Sequence, residues 1–265
     1  MRAATDRRTI AGMDRADVVA RNRQYWEALA PRRPGESVEF FSSGGSALNE
    51  HELVAVGDVR GRRVLQLACS VGDEALTFAQ RGADVVAVDL APTHLATGRA
   101  KAEALGLTVD FREQDMMALE PDLAGFDLIF ISWGGICWVP DLGQWAADLA
   151  ERLTPRGVLV ISEHHPLWEV LTVTGEETLT VSGDYFTAAR DGYADPAKAP
   201  QITRELDAQV QSRSYVWNLG ALASALLSAG LTIRSLQEFP EADMYAGLGD
   251  QAAHIPATYL LTATR

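Results

Sequence analysis

From Arg62 onward, short β-rich apolar runs alternate with segments of helical periodicity. Strands are predicted at residues 63–68, 84–89, about 107–112, 126–132 and 157–163, and two more at about 231–238 and 257–264. The first five runs are apolar on both faces, as expected where helices cover each side of a parallel sheet. The sequence therefore predicts an α/β fold with a seven-stranded, mostly parallel sheet and helices on both faces.

Two segments depart from this alternation. Residues 1–60 form a predicted N-terminal tail and helical lid segment, with an amphipathic helix near Val18 to Leu29. Residues 61–265 form the predicted sheet domain, and its insertion at about 164–217 greatly exceeds the roughly 2–6 residues typical of such a connection. We expect this insertion, which follows strand 5, to be a cap over the carboxyl edge of the sheet.

The charge balance limits the partners. The chain has 36 acidic and 23 basic residues, a net charge of −13. Such a surface repels phosphate backbones and anionic lipid, so we expect no nucleic acid and no membrane as partner. Cys69 and Cys137 have no metal-ligand spacing, so no metal is expected, and a reducing cytoplasmic location fits them best. A monomer or a homodimer is expected.

The turn after the first strand is the first candidate for a ligand site. In open α/β sheets, ligands bind beyond the carboxyl ends of the strands. Small residues alternate there, at Ala68, Ser70 and Gly72, just before a predicted helix. Small side chains let a ligand approach the backbone, and the helix N-terminus offers free N–H donors. The alternative is an ordinary tight turn.

Acidic residues follow the next two strands. Asp89 ends strand two, where a carboxylate can accept both hydroxyls of a ribose. The alternative for Asp89 is a helix N-cap. Asp115 and Met116 follow strand three, where a carboxylate and a backbone N–H can contact an adenine ring. The alternative for Asp115 is a surface aspartate.

Five runs in order carry a resemblance to a known family: Val64 to Gly72, Val85 to Asp89, Gln114 to Met116, Phe126 to Ile129 and Leu153 to Leu159. They resemble the successive motifs of class I (Rossmann-like) S-adenosylmethionine-dependent methyltransferases. The small-molecule enzymes of quinone biosynthesis and bacterial secondary metabolism are the most similar. The resemblance covers about residues 60–163 together with the closing helix and two strands.

The resemblance implies S-adenosylmethionine as cofactor and S-adenosylhomocysteine as product. The cofactor-binding residues it implies are Tyr25 at the carboxylate, Ala68, Ser70 and Gly72 under the methionine, Asp89 and Leu90 at the ribose, Asp115 and Met116 at the adenine, and Ser132 and Trp133 at the sulfonium. The chain departs from the family at Gln66, where an acidic residue is usual, and at Ala68 and Ser70, where glycines are usual. Restoring the acid at position 66 is expected to tighten cofactor binding.

Two histidines after strand five are candidates for a catalytic base. A base accelerates methylation of hydroxyl or carbon acids by about 10²–10⁴-fold. His165 is the preferred base and His164 the second, because a His-Pro pair recurs after this strand in similar methyltransferases. The alternative is that they only bind the backbone of the turn before Pro166.

Aromatic residues indicate the kind of acceptor. The predicted substrate-binding residues are Trp138, Trp168, Tyr185, Tyr215 and Trp217. Such a lining suits a flat or hydrophobic molecule, although some of these residues can equally be the core of the cap. The proline-rich tetrapeptide of amino-methylating nucleic-acid enzymes is absent after strand four.

Together these features predict methyl transfer to a small, aromatic or hydrophobic molecule by O-, N- or C-methylation, in secondary metabolism. The alternative keeps the cofactor but not the transfer, as in a cyclase-type enzyme or a cofactor-sensing regulator. A nicotinamide-dependent dehydrogenase is disfavoured, because Gly72 has no glycine three positions later.

Overall fold

A computed structural model describes residues 14–175, 177–186, 189–191 and 212–265. Its helices are α1 (Arg15–Leu29), α2 (Val38–Ser42), α3 (Glu50–Val56), α4 (Asp73–Gln80), α5 (Pro92–Leu105), α6 (Leu142–Arg152), α7 (Pro166–Val170) and α8 (Leu219–Ser228). Its strands are β1 (Arg63–Leu67), β2 (Asp84–Asp89), β3 (Asp110–Glu113), β4 (Phe126–Ser132), β5 (Leu153–His164), β6 (Leu171–Val173), β7 (Leu179–Val181), β8 (Ala189–Asp191), β9 (Arg213–Tyr215), β10 (Thr232–Phe239) and β11 (Thr258–Thr264). Shorter 3-10 segments are Ala30–Arg32, Ile136–Trp138 and Ala242–His254. Within these ranges, no helix has the length and apolarity to cross a lipid bilayer.

Seven strands form one sheet in the order β10-β11-β5-β4-β1-β2-β3. Neighbouring strands among the first five are parallel, whereas β11 is antiparallel to both β5 and β10. The prediction of a seven-stranded, mostly parallel sheet is confirmed. Strand order reverses on either side of β1, so a crevice opens between the carboxyl ends of β1 and β4, where open α/β sheets hold their ligands.

Apolar cores lie on both faces of the sheet. On one face, Trp145 of α6 and Leu222 of α8 pack against the sheet and are almost fully buried. On the other, Phe78 of α4 and Leu95 of α5 are fully buried together with Phe41 from α2. Because both faces are covered there, the central strands β1, β2 and β4 are almost entirely buried and read as apolar runs, whereas β10 at the sheet edge is largely exposed.

Some boundaries differ from those predicted. β3 begins at Asp110 because the residues before it connect to α5 without pairing with β2. β5 begins at Leu153, directly after α6, because Leu153 pairs with Phe126 across an irregularity in register. Pro155 therefore lies within the strand, and α6 ends before it at Arg152.

The insertion after strand five is only partly described. It contains α7, the β6–β7 hairpin, and β9 paired with β8. Residues 192–211, which belong to the predicted cap, lie outside the described residues, as do residues 1–13. The division into a lid segment and a capped domain thus stays a prediction.

Helix α1 lies across the carboxyl edge of the sheet. The amide of Asn22 pairs with the backbone of Arg213 in β9, donating to its carbonyl at 2.9 Å and accepting from its N–H at 2.7 Å. Arg15 forms an ion pair of 2.6 Å with Asp115 beyond β3. These contacts tie α1 to the insertion and to the sheet, so the helix roofs the crevice.

Candidate functional site

A pocket lies at the carboxyl ends of β1, β2 and β4, under α1 and β9. Its lining residues are Arg15, Val18, Val19, Asn22, Trp26, Arg33, Ala68, Ser70, Val88, Asp89, Leu90, His94, Gln114, Asp115, Met116, Met117, Trp133, Gly134, Gly135, Trp138, Pro140 and Tyr215. Most of the predicted cofactor-binding residues are therefore brought together in one place. The exceptions are Tyr25, Gly72 and Ser132, which do not belong to this lining.

The turn between β1 and α4 is left-handed at alternating residues. The φ angle is 51° at both Ala68 and Ser70 and 76° at Gly72. This geometry explains why glycine is usual at these positions, since a side chain is strained there. At Gly72 the requirement is packing, because an added Cβ would lie 2.5 Å from Cε1 of Phe111. Ala68 and Ser70 face the pocket, and Gly72 supports them.

Asp89 joins this turn to the end of β2. Its Oδ2 accepts from the Ser70 N–H at 2.8 Å, and its Oδ1 accepts from the Ala91 N–H at 2.9 Å. Burial raises the pKa of Asp89 to about 6. A carboxylate can accept about four hydrogen bonds, so capacity for a ribose remains on the pocket side. Asp89 therefore both accepts from the N–H of Ala91, the residue before α5, and lines the pocket.

Asp115 has two partners within the protein. Its Oδ1 accepts from the Met117 N–H at 2.9 Å, and its Oδ2 contacts Arg15 at 2.6 Å. An adenine amine at this position has to share the carboxylate with Arg15 of α1. Met116 lies beside it in the lining.

Around Ser132 the structure places a carboxylate that the sequence analysis missed. Ser132 is buried, and its hydroxyl donates to Oε1 of Glu74 at 2.8 Å. The amide of Gln66 donates to Oε2 of the same carboxylate at 3.0 Å. Glu74 lies in the first turn of α4, directly after the left-handed turn. An acid therefore lies one hydrogen bond away from Gln66, on the facing helix.

Trp133 follows β4 in a strained conformation, with a φ angle of 33°. Its indole N–H donates to Oε1 of the buried Glu52 at 3.1 Å. Glu52 is in turn held by the capping box of α3. The tryptophan therefore forms a fixed part of the pocket wall, next to Gly134 and Gly135.

The two histidines lie outside the pocket lining. His165 is buried, its Nδ1 accepts from the Leu167 N–H at 3.1 Å as the N-cap of α7, and its Nε2 lies 2.7 Å from Oε1 of Glu238. Burial lowers the pKa of His165. His164 stands between the rings of Trp133 and Trp168, at centroid distances of 5.5 Å and 4.9 Å. This geometry favours the structural alternative for His165.

The predicted aromatic residues divide into two groups. Trp138 and Tyr215 line the pocket. Trp168, Tyr185 and Trp217 are not in that lining. The indole N–H groups of Trp168 and Trp217 instead donate to the backbone carbonyls of Met244 and Val139. Tyr25 of α1 is buried outside the pocket lining, whereas Trp26, the next residue of the helix, lines the pocket.

Sequence reasoning also missed a basic and aromatic group at the roof. His94, in the first turn of α5, is 1% exposed, and neither ring nitrogen has a hydrogen-bond partner among the described residues. Burial, aided by the charge of Arg33, lowers the pKa of His94 to about 4. The Trp26 ring lies 5.8 Å from His94 and 5.4 Å from the Arg33 guanidinium carbon. His94 follows Asp89 by five residues, in the first turn of the next helix, and this position was the available signal.

The pocket fits the charges and hydroxyls of S-adenosylmethionine. The left-handed turn brings Ala68 and Ser70 to the pocket, and Asp89 supplies acceptors for hydroxyls. Glu74 lies outside the lining but accepts from Ser132, the residue before Trp133, and it is a half-buried acid without an ion pair among the described residues. Neutral His94 does not repel a sulfonium.

Comparison with known proteins agrees with this geometry. Residues 64–157 match the family described as "Methyltransferase domain". A demethylmenaquinone methyltransferase from Thermus thermophilus is 41% identical over 107 residues, covering 40% of this chain and 48% of the relative. A ubiquinone biosynthesis O-methyltransferase from Azorhizobium caulinodans is 27% identical over 112 residues, covering 42% and 44%. The chain thus spans about half the length of these curated relatives.

Solved structures share the fold. An S-adenosylmethionine-dependent methyltransferase from Mesorhizobium loti has a TM-score of 0.62 at 22% identity, covering 80% of this chain and 94% of that one. The cyclase SpnF has a TM-score of 0.57 at 17% identity, covering 92% and 94%. The match over residues 64–157 and these shared folds agree with the sheet order and with the position of the pocket.

Proposed function

We propose that the protein transfers a methyl group from S-adenosylmethionine to a small, aromatic or hydrophobic acceptor. The observation that carries this proposal is that three aromatic residues, Trp26, Trp138 and Tyr215, line the same pocket as Asp89. We call these three residues the aromatic wall. A flat acceptor stacks on such rings, and the roof formed by α1 excludes a large polymer.

The residues of the chain act mainly by alignment. When bound, S-adenosylmethionine supplies a methyl group on a positively charged sulfur. The aromatic wall holds the acceptor at a fixed angle and excludes water, and such orientation contributes up to about 7–11 kcal/mol to lowering a barrier. Because His164 and His165 lie outside the lining, we propose that transfer relies on alignment more than on a histidine base.

The names of the relatives support a quinone-like or phenolic acceptor. Demethylmenaquinone methyltransferase and the ubiquinone biosynthesis O-methyltransferase are named for flat, hydrophobic ring compounds. We extend the proposal to a role in secondary metabolism, in the cytoplasm, as a monomer or homodimer. The net charge of −13 disfavours nucleic acid as acceptor.

A second candidate function is cofactor-assisted cyclisation. It is favoured by the likeness to SpnF, which covers 92% of this chain. In that case the cofactor stays intact and the aromatic wall folds the substrate.

The test is product detection. The purified protein is incubated with S-adenosylmethionine and a panel of phenols, hydroquinones and amines, and S-adenosylhomocysteine is measured by mass spectrometry. Acceptor-dependent S-adenosylhomocysteine that is lost in Asp89→Ala supports methyl transfer. Conversion of a substrate to an isomer without S-adenosylhomocysteine supports cyclisation.

A further inference from the structure

Glu74 is a carboxylate that lacks a compensating cation. It lies half-buried between β1, β4 and the first turn of α4, and no ion pair involving it is found in the described part of the chain. Glu74, Gln66 and Ser132 form a layer next to the pocket lining, since Ser132 directly precedes Trp133 and Gln66 lies two positions before Ala68. Burial raises the pKa of Glu74, and the nearby charge of Asp73 raises it further. A buried carboxylate in this state gains most from a positively charged ligand.

Two neutral donors fix the orientation of this carboxylate. The Ser132 hydroxyl holds Oε1 at 2.8 Å, and the Gln66 amide holds Oε2 at 3.0 Å. Both donors are buried at the carboxyl ends of neighbouring strands, β4 and β1. The other end of the Gln66 amide, Oε1, is buried and accepts no hydrogen bond within the described residues. An ammonium ion carries three N–H donors and satisfies more than one acceptor at once.

The structural alternative is that Glu74 only stabilises the N-terminus of α4 through the helix dipole. Asp73 lies in the same first turn, but its carboxylate is engaged elsewhere, accepting from the Glu36 N–H at 2.7 Å and pairing with Lys101 at 2.7 Å. The helix dipole alone does not account for the two side-chain donors, Ser132 and Gln66, that hold the Glu74 carboxylate in one orientation.

We propose that Glu74 binds the α-ammonium of the methionine moiety of the cofactor, with Gln66 and Ser132 as its positioning residues. This inference rests on the proposed function, since it assigns one contact in the same site. In the family, an acid is usual at the strand position that Gln66 occupies here. In this chain the acid is Glu74 instead, and it accepts a hydrogen bond from the Gln66 amide.

This arrangement reverses the expectation for the Gln66→Glu variant. A second carboxylate at position 66 would stand about one hydrogen-bond length from Glu74, inside a buried site. Like charges at that distance cannot both ionise without cost. The single variant is therefore expected to bind the cofactor no more tightly than the wild type does.

The experiment compares two ligands by isothermal titration calorimetry. S-adenosylhomocysteine carries the ammonium, and 5′-methylthioadenosine has the same adenosine and thioether without the amino acid. The Glu74→Gln variant should bind S-adenosylhomocysteine about tenfold or more weakly, since a charge-assisted hydrogen bond is lost. Its affinity for 5′-methylthioadenosine should be unchanged. Glu103→Gln, the same change at an exposed position of α5, should alter neither affinity.

The exchanged pair gives the sharpest control. Gln66→Glu combined with Glu74→Gln restores one acid and one amide, and it should recover most of the S-adenosylhomocysteine affinity. Equal binding by wild type and Glu74→Gln would overturn the inference, as would an equal loss for both ligands. If Glu74→Gln does not fold, failure of a folded exchanged pair to bind S-adenosylhomocysteine more tightly than 5′-methylthioadenosine overturns it. A wild-type protein that binds neither ligand would instead contradict the proposed function.

Discussion

Ala68 and Ser70 both have left-handed backbone conformations, at a φ angle of 51°. Such a conformation costs a residue with a side chain roughly 1–2 kcal/mol. Glycine would relieve this cost, but neither position has glycine. Contacts with neighbouring residues therefore hold the turn in this conformation. The Asp89 carboxylate, which accepts from the Ser70 N–H, is one such constraint.

Ala68→Gly should therefore stabilise the fold. Relief of the strain outweighs the added freedom of the unfolded chain, and the expected gain is about 0.5–1 kcal/mol in free energy of unfolding. Urea denaturation measures it. Ala100→Gly is the matched control, since Ala100 is exposed within α5 and should lose roughly that amount. Equal losses in both variants would show that the turn is not strained.

The raised pKa of Asp89, about 6, predicts a pH dependence of cofactor binding. The ionised carboxylate accepts hydrogen bonds from a ribose, and the protonated acid accepts fewer. Affinity for S-adenosylhomocysteine should be constant above pH 7 and fall as the pH drops through about 6, by up to about tenfold per pH unit. Calorimetric titration between pH 5 and 8 shows it. Asp89→Asn should bind weakly without this inflection, and a flat wild-type profile would contradict the assignment.

His165 provides a test between a structural and a catalytic histidine. Its Nδ1 caps α7, so His165→Ala should cost about 0.5–2 kcal/mol in free energy of unfolding while leaving cofactor affinity unchanged. Thermal and urea denaturation give the stability. His165→Asn should restore most of it, because asparagine is a good N-cap. If His165→Asn is stable yet turnover falls about 10²-fold or more, the histidine is a base after all.

At the scale of elements, α1 both lines the pocket and closes it. The side-chain amide of Asn22 forms two hydrogen bonds with the backbone of Arg213 in β9. Ion pairs of Arg15 with Asp115 and of Arg23 with Glu113 hold its other side. We therefore expect a ligand held beneath this helix to leave when these contacts break.

Asn22→Ala should therefore speed ligand exchange. The variant loses the two hydrogen bonds between Asn22 and Arg213 that hold α1 over the pocket. The dissociation rate of S-adenosylhomocysteine should therefore rise roughly 5- to 30-fold. Stopped-flow tryptophan fluorescence, with Trp26 and Trp138 in the pocket, measures the rate. Gln24→Ala removes an exposed amide from the same helix and should leave it unchanged. Identical rates in both variants would mean that α1 does not gate the pocket.

The centre of the sheet could be predicted from sequence because its strands are buried on both faces. The runs at 84–89 and 126–132 coincide with β2 and β4, since nearly every residue between their ends is apolar and buried. β3 was misplaced by a few residues, because its short pairing with β2 does not show in an apolar pattern. The short helices α2 and α3 were missed because their capping residues lie in a polar stretch.

The site was only partly predictable. Ala68, Ser70, Asp89 and Asp115 follow strands directly, so their position is fixed by the sheet. Glu74 and His94 lie on first turns of helices, and whether such a side chain meets the pocket depends on how its helix docks. His165 is the opposite case. It lies at the expected edge of the sheet, but its Nδ1 accepts from the Leu167 N–H and caps α7, and the residue does not line the pocket.

At the scale of the whole molecule, ligand binding should stabilise the fold. S-adenosylhomocysteine at about 100 times its dissociation constant adds roughly 2.7 kcal/mol to the free energy of unfolding. For a chain of this size, that raises Tm by about 5–10 °C. Differential scanning fluorimetry measures the shift, and Asp89→Ala should reduce it at the same ligand concentration. NADH is the control, and a larger shift with NADH would restore the dehydrogenase interpretation.

The position of β11 has a consequence for the order of assembly during synthesis. β11 leaves the ribosome after β10, yet β10 pairs only with β11 within the described sheet, and β11 pairs in turn with β5. The strands that carry the pocket can assemble first, leaving the hydrogen-bonding edge of β5 open. An open edge of this kind is a template for pairing between chains. The nascent protein is therefore most vulnerable to aggregation in the interval between completion of its ligand site and arrival of residues 258–264.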